Sequence, residues 1–283
     1  MKTIIPFSFF FVLTFSVILG QNGRTRAVEE WPKIKKTTML VVLYEGQDAY
    51  NEKIKNTIEK YWTIIPFQFV TPDELLKLSL SKDYSMLVRN DSERFINRVG
   101  RTDRIKSNHL ALYLCGNGAD MRNYPGAEAI VQYQFNDIND VDEYLYKLTA
   151  IIQSMQNYLV FLDTNKITED NHPKLLKKYD NALANTLHEK TLLLLPEQLS
   201  ADLQNPETLK RYYKYEVSIV DKEAIAAAIE AQIPTVAFLH IDPRGKNIYV
   251  LSAEGGRIMY EAETVISGHL TADDFSALSR AAN

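Results

Sequence analysis

The residue types needed for a thiol nucleophile occur close together in this chain: Cys115, the single cysteine, is preceded by His109 and followed by Asp120. A thiol, an imidazole base and a carboxylate orienter form a familiar catalytic set. On one extended strand, however, His109 and Cys115 would share a face about 20 Å apart, and proton transfer needs hydrogen-bond reach. The spacing points instead to Cys115 as a small buried hydrophobe. His240 and Asp242 alternate along another strand, with His269 later in the chain and His172 and His188 far off. Neither HExxH nor paired CxxC spacing accompanies them, so no metal site is expected. No cofactor is expected either. Asp140, Asp142 and Glu143 open one helical stretch, and Asp273 with Asp274 opens another. Carboxylates there complement the helix dipole and cap free amides, which accounts for both groups without an acid pair for glycoside hydrolysis. No catalytic residue is assigned.

A turn rich in glycine, Cys115-Gly116-Asn117-Gly118, has the amides to cradle a phosphate. Phosphate loops run from strand into helix, whereas this one joins two strands, and neither GxGxxG nor the Walker pattern is present. Arginine offers a sharper signal. Between Arg89 and Asn108 the chain carries Arg89, Arg94, Arg98, Arg101, Arg104 and Lys106 against Asp91, Glu93 and Asp103. Planar guanidinium groups suit carboxylates, phosphates and sulfates. With Ser92 to Val99 read as a helix ended by Gly100, Arg94, Arg98 and Arg101 fall on one stripe beside Phe95 and Val99. Arg94, Arg98, Arg101, Arg104 and Lys106 are the expected contact residues, joined by Tyr124 beside Pro125 and Gly126, an aromatic suited to an exposed contact.

The elements that must position these residues follow one plan twice: strand, helix, strand, helix, strand, then a hairpin and a closing helix. The first copy uses Met39 to Leu43, Tyr50 to Trp62, Phe67 to Val70, Pro72 to Leu80, Tyr84 to Val88, His109 to Leu114, Ile130 to Phe135 and Asp142 to Ile152. Its counterpart uses Thr191 to Leu195, Pro206 to Tyr215, Glu216 to Val220, Lys222 to Gln232, Thr235 to Ile241, Asn247 to Leu251, Arg257 to Thr264 and Thr271 to Ala281. Continuous apolar runs such as Met39 to Leu43 mark strands covered on both faces. Thr71-Pro72-Asp73-Glu74 and Asp221-Lys222-Glu223 are matching helix starts. Self-similarity of this kind supplies an internal control, because a feature found in both copies is scaffold and one found in a single copy is a candidate for function. The arginine insertion meets that test: the second copy spans the same interval with only Pro243, Arg244, Gly245 and Lys246.

The N-terminus adds a compartment. Met1-Lys2-Thr3 leads into an uncharged apolar run from Ile4 to Gly20, the layout of a secretory signal, with cleavage expected near Gly20. Ile18 is large for the position before a cut, which leaves an uncleaved anchor as the alternative, but the run holds Pro6 and is short for a span. Without Lys2 the chain keeps 31 basic and 36 acidic residues, a net charge of −5, which gives no general attraction to nucleic acid or anionic lipid.

The expected fold is α/β: two related lobes from an internal duplication, each a mixed sheet with flanking helices and a C-terminal β-hairpin plus helix. The expected divisions are a signal peptide at 1–20, a flexible leader at 21–36, a first lobe at 37–156, a partly helical connector at 157–189 and a second lobe at 190–283. For function, the pattern points to an exported, periplasmic or extracellular, non-catalytic binding or adaptor protein of a bacterial-type cell envelope. The basic insertion would meet an anionic ligand or envelope protein. The alternative is an enzyme acting on an envelope polymer or small metabolite in an inter-lobe cleft, and self-association of the lobes is a third arrangement. No nucleic-acid partner is expected, and no membrane span after signal cleavage.

Overall fold

A computed structural model describes residues 22–98, 101–116, 129–135, 140–165, 167, 172–241, 247–263 and 269–283. The signal segment and Tyr124 lie outside the described residues, as do Asp120, Asp242 and Gly118. In chain order the elements of the first half are α1 (Asn22–Ile34), β1 (Thr38–Val42), α2 (Asp48–Tyr61), β2 (Phe67–Val70), α3 (Pro72–Leu78), β3 (Tyr84–Arg98), β4 (Arg101–Leu114), β5 (Val131–Phe135) and α4 (Leu148–Thr164). α5 (His172–Asp180) follows, then β6 (Thr191–Leu194), α6 (Pro206–Leu209), β7 (Val217–Ile219), α7 (Lys222–Glu230), β8 (Val236–Ile241), β9 (Asn247–Ser252), β10 (Ile258–Glu263) and α8 (Ala272–Ala281).

These strands form two five-stranded mixed sheets, ordered β2-β1-β3-β4-β5 and β7-β6-β8-β9-β10. In each, the first strand lies between two parallel neighbours, and the last two strands are added antiparallel. The two orders are the same, position for position, which is consistent with two related lobes. Register extends the match, since Thr38 pairs with Tyr84 as Thr191 pairs with Val236.

Each sheet is covered on both faces, as the unbroken apolar runs of β1 and β6 require. In the first lobe Met39, Val41, Leu87 and Leu112 pack with α1, α2 and α4, while Leu40, Val42, Met86 and Ala111 face Leu75 of α3. In the second, Leu192, Leu194 and Val250 pack with Leu209 and α8, and Leu193, Phe238 and Leu251 face α7. α3 starts with a complete capping box: Glu74 N donates to Thr71 Oγ1, and Thr71 N donates to Glu74 Oε2. Asp221 caps α7 by accepting from Ala224 N at 2.8 Å.

Two segments differ from the sequence expectation. Residues 22–34, expected as a flexible leader, form α1, whose Ala27, Trp31 and Ile34 are buried in the first lobe's core. Those three lie on one helical face, which outweighs the charged residues between them. Ser92 to Val99, expected as a helix, is strand through Arg98, within the 14-pair ladder of β3 and β4. Arg94, Arg98 and Arg101 satisfy a helical stripe, but a chain that can pair with its own return strand gains a full ladder of backbone hydrogen bonds. Shorter differences occur elsewhere: α6 ends at Leu209, and short 3-10 turns at Val141–Glu143 and Leu145–Lys147 precede α4.

α4 joins the lobes. Leu148, Ile151, Ile152, Met155 and Leu159 belong to the first core, and Ala150 belongs to the second lobe's cluster against α7. Gln153 Nε2 donates to Gln232 Oε1 at 3.0 Å, Asn157 Nδ2 to Gly255 O at 2.7 Å, and Thr149 Oγ1 to Glu230 Oε1 at 3.0 Å. Lys53 of α2 pairs with the same Glu230. Although partial burial opposes its charge, Lys53 and the Thr149 hydroxyl hold the Glu230 carboxyl below its ordinary range.

Candidate functional site

Outward from the sheet, β3 and β4 continue as a two-stranded ribbon. β1 pairs with β3 only through Leu87, and β5 pairs with β4 only from Asn108 inward. The last seven ladder pairs, from Ser92↔Ser107 to Arg98↔Arg101, have no further strand beside them among the described residues. At about 3.4 Å per residue they reach roughly 20 Å beyond the sheet. The expected contact residues lie along this arm, with Arg94 opposite Ile105, Arg98 opposite Arg101, Arg104 opposite Phe95 and Lys106 opposite Glu93. In the second lobe β8 and β9 stop at Ile241↔Ile248.

At the arm's base stands Arg89, two residues beyond the last contact of β3 with β1. Its guanidinium carbon lies 4.0 Å from the ring centre of Tyr44 and 4.4 Å from that of Tyr50. Nη1 donates to Tyr144 Oη at 3.0 Å and to Gln47 Oε1 at 3.3 Å. The backbone is fastened as well, for Arg89 N donates to Tyr44 Oη at 3.0 Å and Tyr44 Oη donates to Arg89 O at 3.3 Å. Burial raises the phenols of Tyr44, Tyr50 and Tyr144 above their ordinary value, so all three are neutral at pH 7 and none offsets the guanidinium charge. The Tyr50 hydroxyl and Arg89 Nε are buried without a hydrogen-bond partner.

An aromatic path leads from here into the second lobe. Tyr144 lies 6.4 Å from Tyr50 and 4.6 Å from Phe135, and Phe135 lies 5.9 Å from His240 of β8. His240 also meets Tyr133 at 5.4 Å and stacks on Tyr249 at 5.9 Å. Lys147 closes this box, its ammonium 5.9 Å from the Phe135 ring and 5.2 Å from Tyr146. Lys147 is only 5% exposed; its backbone N–H donates to Tyr144 O at 3.0 Å, while its ammonium meets rings rather than a carboxylate among the described residues. Burial, reinforced by Lys222, brings it down to about 8 against the opposing pull of Glu143 and Glu197. Burial and then the Lys147 charge push His240 well below the ordinary imidazole value, and its Nδ1 has no partner.

The thiol set does not assemble. Cys115 is buried, burial pushes its thiol up to about 12, and His109 Nε2 lies 2.6 Å from Tyr113 Oη. Among the described residues no three His, Cys, Asp or Glu side chains could hold a metal ion, and no helix is long and apolar enough to cross a membrane. Tyr44, Tyr50, Tyr144, Lys147 and His240 gave no sequence signal as a group, because five separate elements and loops bring them together. Arg89 was visible as the first cation of the insertion.

Fold and site together define a two-lobed α/β protein with one basic β-arm and an arginine set between tyrosines at its base. Compared with protein-family models, curated proteins and solved structures, the chain matches none.

Proposed function

We propose that this chain is an exported, non-catalytic binding or adaptor protein of a bacterial-type cell envelope, and that the arm formed by β3 and β4 is its contact surface. The observation behind this reading is the run of seven ladder pairs with no further strand beside it among the described residues. A two-stranded hairpin alone is marginal in water, and open strand edges are templates for another chain. Five basic residues against two acidic between Ser92 and Ser107 favour an acidic polypeptide as the partner. The test is capture from envelope extract by the mature protein, beside a variant in which residues 92–107 are replaced by a two-residue Asn-Gly turn and a third carrying Arg94→Glu, Arg98→Glu and Arg101→Glu. A discrete acidic protein retained by the parent and lost by both variants, with their melting cooperative and unchanged, is the expected result. Equal capture by all three overturns it.

A second reading, an enzyme working between the lobes, has one observation in its favour. Lys147 and His240 are buried cation-forming groups in one aromatic box, and His240 Nδ1 has no hydrogen-bond partner among the described residues. Equal capture in the experiment above moves attention to that box.

A further inference from the structure

Arg89 is built into place. Two tyrosine faces hold its plane, and two side-chain oxygens fix one of its nitrogens. Such a guanidinium has lost its freedom before any ligand arrives, so the ordering cost of binding is already met. What it lacks is an anion: no carboxylate pairs with it among the described residues. Nε is buried without an acceptor, and among the described residues the guanidinium's side-chain bonds both come from Nη1. Tyr44 follows β1 and Arg89 extends β3, so the group lies at the carboxyl ends of two neighbouring parallel strands. That is the edge of an open α/β sheet where ligands are bound.

The second lobe provides the control. Counting from the matched pairs Thr38↔Tyr84 and Thr191↔Val236, the positions of Tyr44 and Arg89 are occupied by Glu197 and Ile241. The sheet is repeated and the clamp is not, so the fold does not require it.

We propose that Arg89 is the receptor for a carboxylate group, which pairs with the clamped guanidinium at Nη2. A singly charged carboxylate fits better than a phosphate dianion, because the negative charges of Glu143 and Asp140 act on the same cluster through Tyr144. This site is separate from the arm's contact surface and stands or falls independently of it.

The test is a calorimetric titration of the whole mature protein with sodium acetate, with sodium phosphate and sodium chloride as comparisons. Saturable acetate binding is expected, weakened on the order of tenfold or more in Arg89→Gln and by less in Arg89→Lys, which keeps the charge and loses the planar guanidinium. An acetylated dipeptide with a free C-terminus, run beside its amide, separates a polypeptide terminus from a free acid as the source: tighter binding of the free-terminus peptide than of acetate favours the terminus. Should the variants fail to fold, the parent protein still decides the matter. Phenylglyoxal modification of Arg89, followed by peptide mass, is slowed by acetate and not by equal chloride. Undiminished binding in a folded Arg89→Gln, phosphate preferred over acetate, or absence of acetate protection overturns the proposal.

Discussion

Lys147 is enclosed by rings and pairs with no carboxylate among the described residues, so its proton is held at a cost to the fold. An unfolded lysine titrates near 10.5 and this one near 8, a gap equivalent to about 3 kcal/mol. The unfolded chain therefore binds more protons between those values, and stability rises with pH from about 8 to about 10.5 and is lower below that window. Lys147→Met, of similar volume and no charge, is expected to stabilise the protein by about 3 kcal/mol at pH 7, an advantage that vanishes above pH 10.5. Urea denaturation of both proteins at pH 7 and pH 10 checks this; a difference independent of pH refutes it. Neither Lys147 nor His240 was legible as a site residue, for each is ordinary in its own segment and only the meeting of β5, α4 and β8 makes it unusual. Cys115 was legible, because the apolar strand that runs directly into it, His109 to Leu114, already places its thiol in a core.

Helix starts were the most readable elements, since their determinants are local. Thr71-Pro72-Asp73-Glu74 contains its own capping partners and folds as they dictate. Thr71→Ala is expected to cost about 1 kcal/mol, and Asp221→Ala, removing the cap of α7, a similar amount. Thermal unfolding of the two single variants and the double measures it, with near-additive losses expected from such distant sites. The arginine insertion was misread for the opposite reason. Its own residues satisfy a helical stripe, and the information that makes it a strand lies in the return segment, Arg101 to Ser107, with which it pairs residue for residue. α1 shows the same limit, as the face formed by Ala27, Trp31 and Ile34 has meaning only against the core that receives it.

Across the whole molecule the repeated plan was readable in strand order, because alternation of strands and helices with terminal hairpins leaves few sheet topologies. The contact between lobes was not, since it depends on one close approach. Gly256, at φ +61°, lies so near α4 that an added Cβ would stand 2.1 Å from Ala150 O. Gly256→Ala combines that clash with a backbone region alanine avoids, and a loss of at least 1–3 kcal/mol is expected on the order of other overpacking changes. Thermal unfolding should show the second lobe melting earlier than the first. Gly255→Ala, at φ +68° with open space around it, carries only the backbone penalty and is the matched control. Equal losses in the two variants would dismiss the packing argument.

The position of α4 also sets an order of events during synthesis. The first lobe's core is drawn entirely from residues between Ala27 and Tyr179, whereas the second lobe's α7-facing cluster includes Ala150. A chain emerging from its N-terminus completes α4 before β6 exists, so the second lobe assembles on a wall already standing. Two lobes with one strand order are in this respect unequal: the α7-facing cluster of the later takes Ala150 from α4, whereas the buried apolar cluster of the earlier contains no residue beyond Tyr179 among the described residues.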